Sequence, residues 1–317
     1  MQTKTIIYFK HGLGNLIMMT PAIRALATMD ESRKVDICMS SEWNDPRRPA
    51  YDDFFKRWDI IQEVINYPKM QFVKKYTRWF YTGHSEFSEA FNVFKEKSAI
   101  GAEAPDWRNW AIHEMYWYME IVQTLGYKGT VPSQYVPLAP DPIIKKGKQP
   151  VIGICNGTYS YKMKTAKQWN YWSELATVLK NHYGATVIKV GYQDELKEVE
   201  CDIDYVGKLS FTETAKVISQ LDLFITTDSA NMHVGDALNV NMVVLFGGTL
   251  ISKNGCLSRN SDIVTSGLDC RPCQRTPKFY HCDNYHCMGK LTVGDVMAVV
   301  RRRLHERYSF HGYENSD

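Results

Sequence analysis

The 317-residue chain lacks any apolar run approaching the length of a membrane span. Before Lys10 it carries only a short apolar stretch, less than the core of a secretory signal. The expectation is therefore a cytoplasmic protein without a transmembrane segment, with peripheral membrane contact left open. It also lacks a strong charge bias. Its 38 Lys and Arg oppose 35 Asp and Glu, a net charge of +3 that argues against a dedicated nucleic-acid binder. No internal repeat or low-complexity block is present. Two phosphate-binding signatures are missing as well. "HGLGNLIMMTP" (residues 11–21) follows an apolar run as a glycine turn after a strand would. Yet Ile17 stands where a dinucleotide fingerprint needs its third glycine, and no Gly-Lys-Ser/Thr follows.

What is present belongs to a globular protein: 44% hydrophobic and 23% charged residues, on a chain long enough for two domains. The first half alternates strand and helix: residues 5–9, the glycine turn, a helix, Val35–Met39, and a short strand near 60–65. Residues 70–117 are aromatic and irregular, and the pattern near 109–125 reads as a helix ended by Gly126. "VPLAPDPIIKKGKQP" (136–150) reads as a linker. The alternation then restarts, with strands near 151–155, 186–190, 223–226 and 242–246, and a last helix from about 291 to 308. This predicts an α/β protein of two Rossmann-like αβα domains facing each other across a cleft. The expected division is 1–145, 146–310 and a polar tail at 311–317.

Residues 222–249, "DLFITTDSANMHVGDALNVNMVVLFGGT", carry the strongest chemical signal. A buried strand ends at Thr226, and Asp228-Ser229-Ala230 open a helix whose first N–H groups and dipole suit a diphosphate. The next strand ends in Gly247-Gly248-Thr249, where missing side chains would let a ligand approach the backbone. Taken singly, the first reads as an ordinary cap and the second as an ordinary turn. Two such loops on neighbouring strands favour a ligand site.

The turn running into Thr-Pro ("GLGNLIMMTPAIRAL"), Lys167-Gln168-Trp169, Asp228 to His233 and Leu245-Phe246-Gly247-Gly248-Thr249 together resemble glycosyltransferase family nine. These are the heptosyltransferase-like enzymes of GT-B fold. The resemblance covers residues 6–26 and 151 to about 299. It implies metal-independent, inverting transfer of a sugar from a nucleotide-sugar donor to a saccharide or phosphorylated glycolipid acceptor of lipopolysaccharide type. No cofactor would be required. By carry-over, Lys167 neutralises donor phosphate, and Asp228, Ser229, Ala230, Asn231 and Met232 cradle the diphosphate. His233, Gly248 and Thr249 line the same site, and Glu195 (or Asp194) sits near the nucleoside. A departing diphosphate gains negative charge, so prepositioned amides and a lysine lower the barrier. Lys162 and Lys164 are further candidates, and His233 reads equally well as a structural hydrogen-bonder. The "DID" at 202–204 is discounted as a chance match to a metal motif.

The family places an aspartate just after the second glycine of the N-terminal turn, and here that position is Asn15. A carboxamide is no base near neutral pH, so the proton of the attacking hydroxyl needs another acceptor. His11, Glu42, Asp45 and His113 are the candidates, with Asn15 positioning the acceptor beside Gly12 and Gly14. Arg47, Arg48, Lys74, Lys75 and Arg78, with Trp43 and Trp79, would suit an acidic or phosphorylated acceptor. The same basic–aromatic mixture leaves two rivals: a bacteriophage-type enzyme glycosylating a hydroxylated DNA base, and a nucleotide-sugar-binding protein without turnover. Cys270, Cys273, Cys282 and Cys287, with adjacent His281 and His286, form a candidate structural zinc site; free thiols or a labile disulfide are the alternatives. The other four cysteines read as small core residues, and the chain is expected to be a monomer.

Overall fold

The computed structural model describes residues 4–9, 11–39, 48–66, 76–81, 100–103, 112–145, 147–157, 166–193, 195–274, 276–282 and 285–305. Among the described residues the chain divides into two compact units. Residues 1–138 form the first together with the short pieces 210–212 and 252–254, and most of the remainder forms the second.

The first unit holds a sheet of β1 (Thr5–Phe9), β2 (Val35–Met39), β3 (Ile61–Asn66), β4 (Arg78–Tyr81) and β5 (Ile100–Glu103). The strand order is β3-β2-β1-β4-β5, with every pairing parallel. Parallel strands are covered on both faces, which is why β1 and β2 read as near-continuous apolar runs and are buried at every position. Helix α1 (Leu13–Met29) leaves β1 through Gly12, α2 (Arg48–Lys56) follows β2, and α3 (Glu114–Thr124) packs on α1. Helix α3 starts later than the periodicity suggests. His113 is its N-cap, with extended backbone (φ −62°, ψ 142°) and Nδ1 accepting the Met115 N–H at 3.2 Å. A side chain committed to capping in this way is poorly placed to serve as the base proposed from sequence.

The second unit holds β6 (Val151–Cys155), β7 (Thr186–Lys189), β8 (Ile203–Asp204), β9 (Leu223–Thr227), β10 (Met242–Leu245) and β11 (Ser261–Val264). Their order is β11-β10-β9-β6-β7-β8, again all parallel. Helices α4 (Trp172–Tyr183), α5 (Phe211–Ser219), α6 (Ala230–Ala237), α7 (Ile251–Asn254), α8 (Pro277–Tyr280), α9 (His286–Gly289) and α10 (Val293–His305) connect or follow them. Helix α4 ends at Gly184, whose left-handed conformation (φ 56°) costs glycine little and any other residue more. Its core joins Trp169 and Trp172 to Leu175, Val187, Ile225, Val243 and the apolar face of α10. Each fully buried aliphatic or aromatic side chain of this kind contributes about 1.5–3 kcal/mol.

Both sheets anchor their central strand in the same way. The Thr5 N–H at the start of β1 is bound by Asp30 Oδ2 at 2.8 Å, and the Val151 N–H at the start of β6 by Asp222 Oδ2 at 2.9 Å. Each aspartate satisfies a strand-end donor that burial would otherwise leave unpaired. In the first unit the order of strand addition reverses between β1 and β4, and in the second between β6 and β9. Ligand crevices of doubly wound sheets form at such reversals, beyond the carboxyl ends of the strands.

Candidate active site

In the second unit, the chemistry-bearing residues gather at the carboxyl ends of β6, β7, β9 and β10. Asn156 follows β6 and clamps the chain at Trp169 from both sides. Its Nδ2 donates to the Trp169 carbonyl at 3.0 Å, and its Oδ1 accepts the Trp169 N–H at 2.9 Å. The buried Trp169 indole donates to the Leu291 carbonyl at 2.7 Å. These bonds hold the short turn that carries Lys167. Lys167 Nζ lies 2.8 Å from Asp228 Oδ2, at the end of β9.

Asp228 is fully buried. Burial alone would raise its pKa, but the charge and hydrogen bond of Lys167, the adjacent Thr249 hydroxyl and His233 together hold it below the ordinary carboxylate value. The sequence reading gave Asp228 a direct place in a phosphate cradle. In the structure its carboxylate turns to Lys167, and Ser229 is the N-cap of α6, accepting the Met232 N–H. Its carboxylate is thus engaged with the lysine in this structure. Met232 has its side chain wholly buried and its amide taken by Ser229. The Ala230 and Asn231 amides remain as donors at the start of α6, where the helix dipole favours an anion. Thr249 and His233 are buried beside the pair.

Glu195 is buried beyond β7. Its carboxylate fills the space above two glycines: a Cβ on Gly191 would come within 2.2 Å of Oε2, and one on Gly157 within 3.2 Å. The Cys155 thiol faces Oε2 at 3.9 Å and accepts from Asn231 Nδ2 at 3.3 Å, so Glu195 and the start of α6 share one polar cluster. Burial and the Glu195 charge push the Cys155 thiol up to about 12, which keeps it protonated.

On the side where a Cβ would stand, protein packs closely against Gly247 and Gly248. A Cβ on Gly247 would meet the Ala166 carbonyl at 2.5 Å, and one on Gly248 would meet Cys273 Sγ at 2.9 Å and the Phe279 ring at 3.2 Å. The Gly248 carbonyl accepts from the Cys273 and Gln274 amides, both at 2.9 Å. The cysteine segment is thus a roof over the β10 loop. Cys270, Cys273, Cys282 and Cys287 are free thiols, and among the described residues no three His, Cys, Asp or Glu side chains come together as a metal site. The thiols still lie close enough to act on one another: burial, then the charges of neighbouring thiols, raises Cys273 and Cys287 above the ordinary thiol value.

In the first unit the focus is Asn15, in the first turn of α1. Asn15 Nδ2 donates to Glu114 Oε1, and the buried Tyr118 hydroxyl donates to the same oxygen at 2.7 Å. Oε2 accepts from Asn254 Nδ2 at 3.0 Å; residues 252–254 group with this unit. Burial, then the Glu114 charge and hydrogen bond, raises the Tyr118 hydroxyl well above its ordinary value. The His11 ring stands edge-on to Tyr118, 6.1 Å between centroids, and its carbonyl accepts from the Tyr51 hydroxyl at 2.7 Å. Gly12 is the N-cap of α1, with Gly14 in its first turn.

Glu114 was missed from sequence, where it reads as an ordinary acid at a helix start. Arg48 forms an exposed i,i+4 pair with Asp52. Arg78 does not join the site. It begins β4 beside the first residue of β1, at the amino-terminal end of the strands, and its Nη1 donates to the Met29 carbonyl at the end of α1 at 3.1 Å. Glu42, Asp45, Arg47, Trp43, Lys74, Lys75, Lys162, Lys164 and Asp194 lie outside the described residues. Among the described residues no helix is long and apolar enough to cross a membrane.

With this geometry in view, the comparisons with known proteins are specific. The family model of glycosyltransferase family 9 (heptosyltransferase) matches residues 122–283. Lipooligosaccharide heptosyltransferase 2 of Campylobacter jejuni is 24% identical over 176 residues, covering 51% of this chain and 54% of that protein. The chain thus spans about half the length of the curated relatives it matches. Among solved structures, the Escherichia coli ADP-heptose lps heptosyltransferase II superposes with a TM-score of 0.71 at 16% identity, covering 96% and 99% of the two chains. A family 9 glycosyl transferase from Veillonella parvula gives 0.76 at 15% identity, covering 96% and 98%. The fold is the GT-B fold of these proteins.

Proposed function

The chain belongs to glycosyltransferase family 9, and from that premise we propose that it transfers a sugar, with inversion and without a metal, from a nucleotide-sugar donor to a hydroxyl of a saccharide acceptor of lipopolysaccharide type. The donor is an ADP-activated heptose, by analogy with the Escherichia coli neighbour. We place the protein in the cytoplasm, acting as a monomer.

The observation that carries this reading is the Lys167–Asp228 pair at the start of α6. A partly buried lysine aimed by a buried carboxylate, next to helix-start amides, is a prepositioned site for the charge that develops on a leaving diphosphate. Oxygen of the acceptor bonds to the anomeric carbon as the bond from that carbon to the diphosphate breaks. The nucleoside diphosphate leaves with the electron pair, and its added charge meets Lys167 and the Ala230 and Asn231 amides. Glu195, buried at the end of β7 beside Asn231, faces the nucleoside portion.

The test is direct. ADP-heptose and ADP should raise the melting temperature of the chain, and heptose should pass from ADP-heptose to a lipooligosaccharide lacking it, with ADP released. Neither stabilisation nor transfer with ADP-heptose would reject the reading. Stabilisation without transfer would favour a binding protein without turnover.

A further inference from the structure

The resemblance to the family puts an amide, Asn15, where it implies a base, and the structure sets the Glu114 carboxylate against it. We propose that Glu114 is the catalytic base of this chain, having taken over from the position held by Asn15, and that Asn15 orients it. The inference rests on the reading of the protein as a glycosyltransferase and adds to it the group that accepts the proton.

Three observations converge. Asn15 stands at the carboxyl end of β1, in the first turn of α1. Asn15 Nδ2 donates to Glu114 Oε1, which places the carboxylate one hydrogen bond away from that position. Glu114 is the first residue of α3 and only half-buried, so an acceptor hydroxyl can reach it. A carboxylate has about four lone-pair sites on its two oxygens. Asn15 and Tyr118 take two on Oε1 and Asn254 takes one on Oε2, leaving room for one more donor. Those three bonds fix the orientation of the group, as a catalytic carboxylate requires. The position of Glu114 at the start of α3 also places it where the helix dipole favours negative charge.

The proton balance is complete. As the acceptor oxygen bonds to the anomeric carbon, its proton passes to Glu114, and the nucleoside diphosphate carries away the electron pair of the broken bond. His11, edge-on to Tyr118, is another titratable side chain named from sequence that stands by this cluster. Its variant therefore serves as the comparison.

The experiment exchanges the two ends of one hydrogen bond. Glu114→Gln removes the base while keeping the size of the side chain. It should lower kcat for heptose transfer from ADP-heptose by about 10²–10⁴-fold, the usual contribution of a general base. ADP affinity and melting temperature should stay close to those of the parent. In the double variant Asn15→Asp with Glu114→Gln, the carboxylate returns to α1 and the amide of residue 114 donates to it. That variant should recover at least tenfold of the lost kcat. Glu114→Gln with parental kcat overturns the assignment, as does a loss of rate that the double variant does not recover. A Glu114→Gln protein that loses stability or ADP binding in parallel with rate has lost a structural residue, and this also overturns it. His11→Gln, rather than Glu114→Gln, abolishing transfer would give the role to His11. No transfer by the parent chain itself would reject the glycosyltransferase reading, and the Glu114 assignment with it.

Discussion

Lys167 Nζ and Asp228 Oδ2 are 2.8 Å apart inside the second unit, with the aspartate fully enclosed and the lysine side chain 13% exposed. A lysine this enclosed keeps its position without a ligand, so little of its conformational entropy remains to be lost when a phosphate arrives. The aspartate holds it in place through the ion pair.

That arrangement predicts unequal effects of removing the two partners. Lys167→Met should reduce ADP affinity about 10- to 100-fold, the equivalent of one charge-assisted hydrogen bond. It should also destabilise the unit, because Asp228 is left buried without its cation. Asp228→Asn should cost less affinity, since the amide still accepts a hydrogen bond from the lysine. Isothermal titration calorimetry with ADP on both variants measures the difference. Parental affinity in Asp228→Asn would mean that the lysine needs no aiming.

Asp228 also predicts a pH dependence of stability. Its pKa is lowered on folding, so its contribution is fully present above the unfolded carboxylate value of about 3.9. The contribution is lost as pH falls through the lower folded value. Urea midpoints measured between pH 6 and pH 2 should fall in the parent below about pH 4. They should fall less steeply in Asp228→Asn, which has no proton to gain at that site. Parallel curves would show that other carboxylates dominate, Asp53 and Asp262 being held low by their own hydrogen bonds and arginines.

The roof over the β10 loop gives a third prediction. An alanine at Gly248 would drive its Cβ into Cys273 Sγ and the edge of the Phe279 ring. Overpacking of this kind costs about 1–3 kcal/mol. At about 2–4 °C per kcal/mol, the melting temperature should fall by several degrees. Adding Cys273→Ala should return part of the loss, because the two positions share one contact. A Gly248→Ala protein as stable as the parent would place the cysteine segment elsewhere.

Much of this fold could be read along the chain because it is written in local patterns. The apolar run of β1, the helix closed at Gly184 and the cap at Ser229 are each set by neighbouring residues, through burial period, backbone freedom and side-chain capping. The reading of Lys167 and Asp228 as one site came from the resemblance to a family, since 61 positions separate them and no local rule joins them.

Other features were decided only when distant segments packed. Gly247 and Gly248 have the composition of an open loop, and nothing near them in sequence announces that Ala166, Cys273 and Phe279 will close over them. Arg78 looked like an acceptor ligand until the parallel register of β4 with β1 put it at the amino-terminal end of the strands, opposite Thr5. Asn15 is the clearest case. From sequence it was a site without its base, because its partner Glu114 stands 99 residues away and reads as an ordinary first-turn acid. Sequence determined where the strands end and which residue types stand there, since propensity, periodicity and capping act over a few residues. The packing of α3 on α1 alone decided that an amide and a carboxylate would meet, because contact across a core depends on the whole fold.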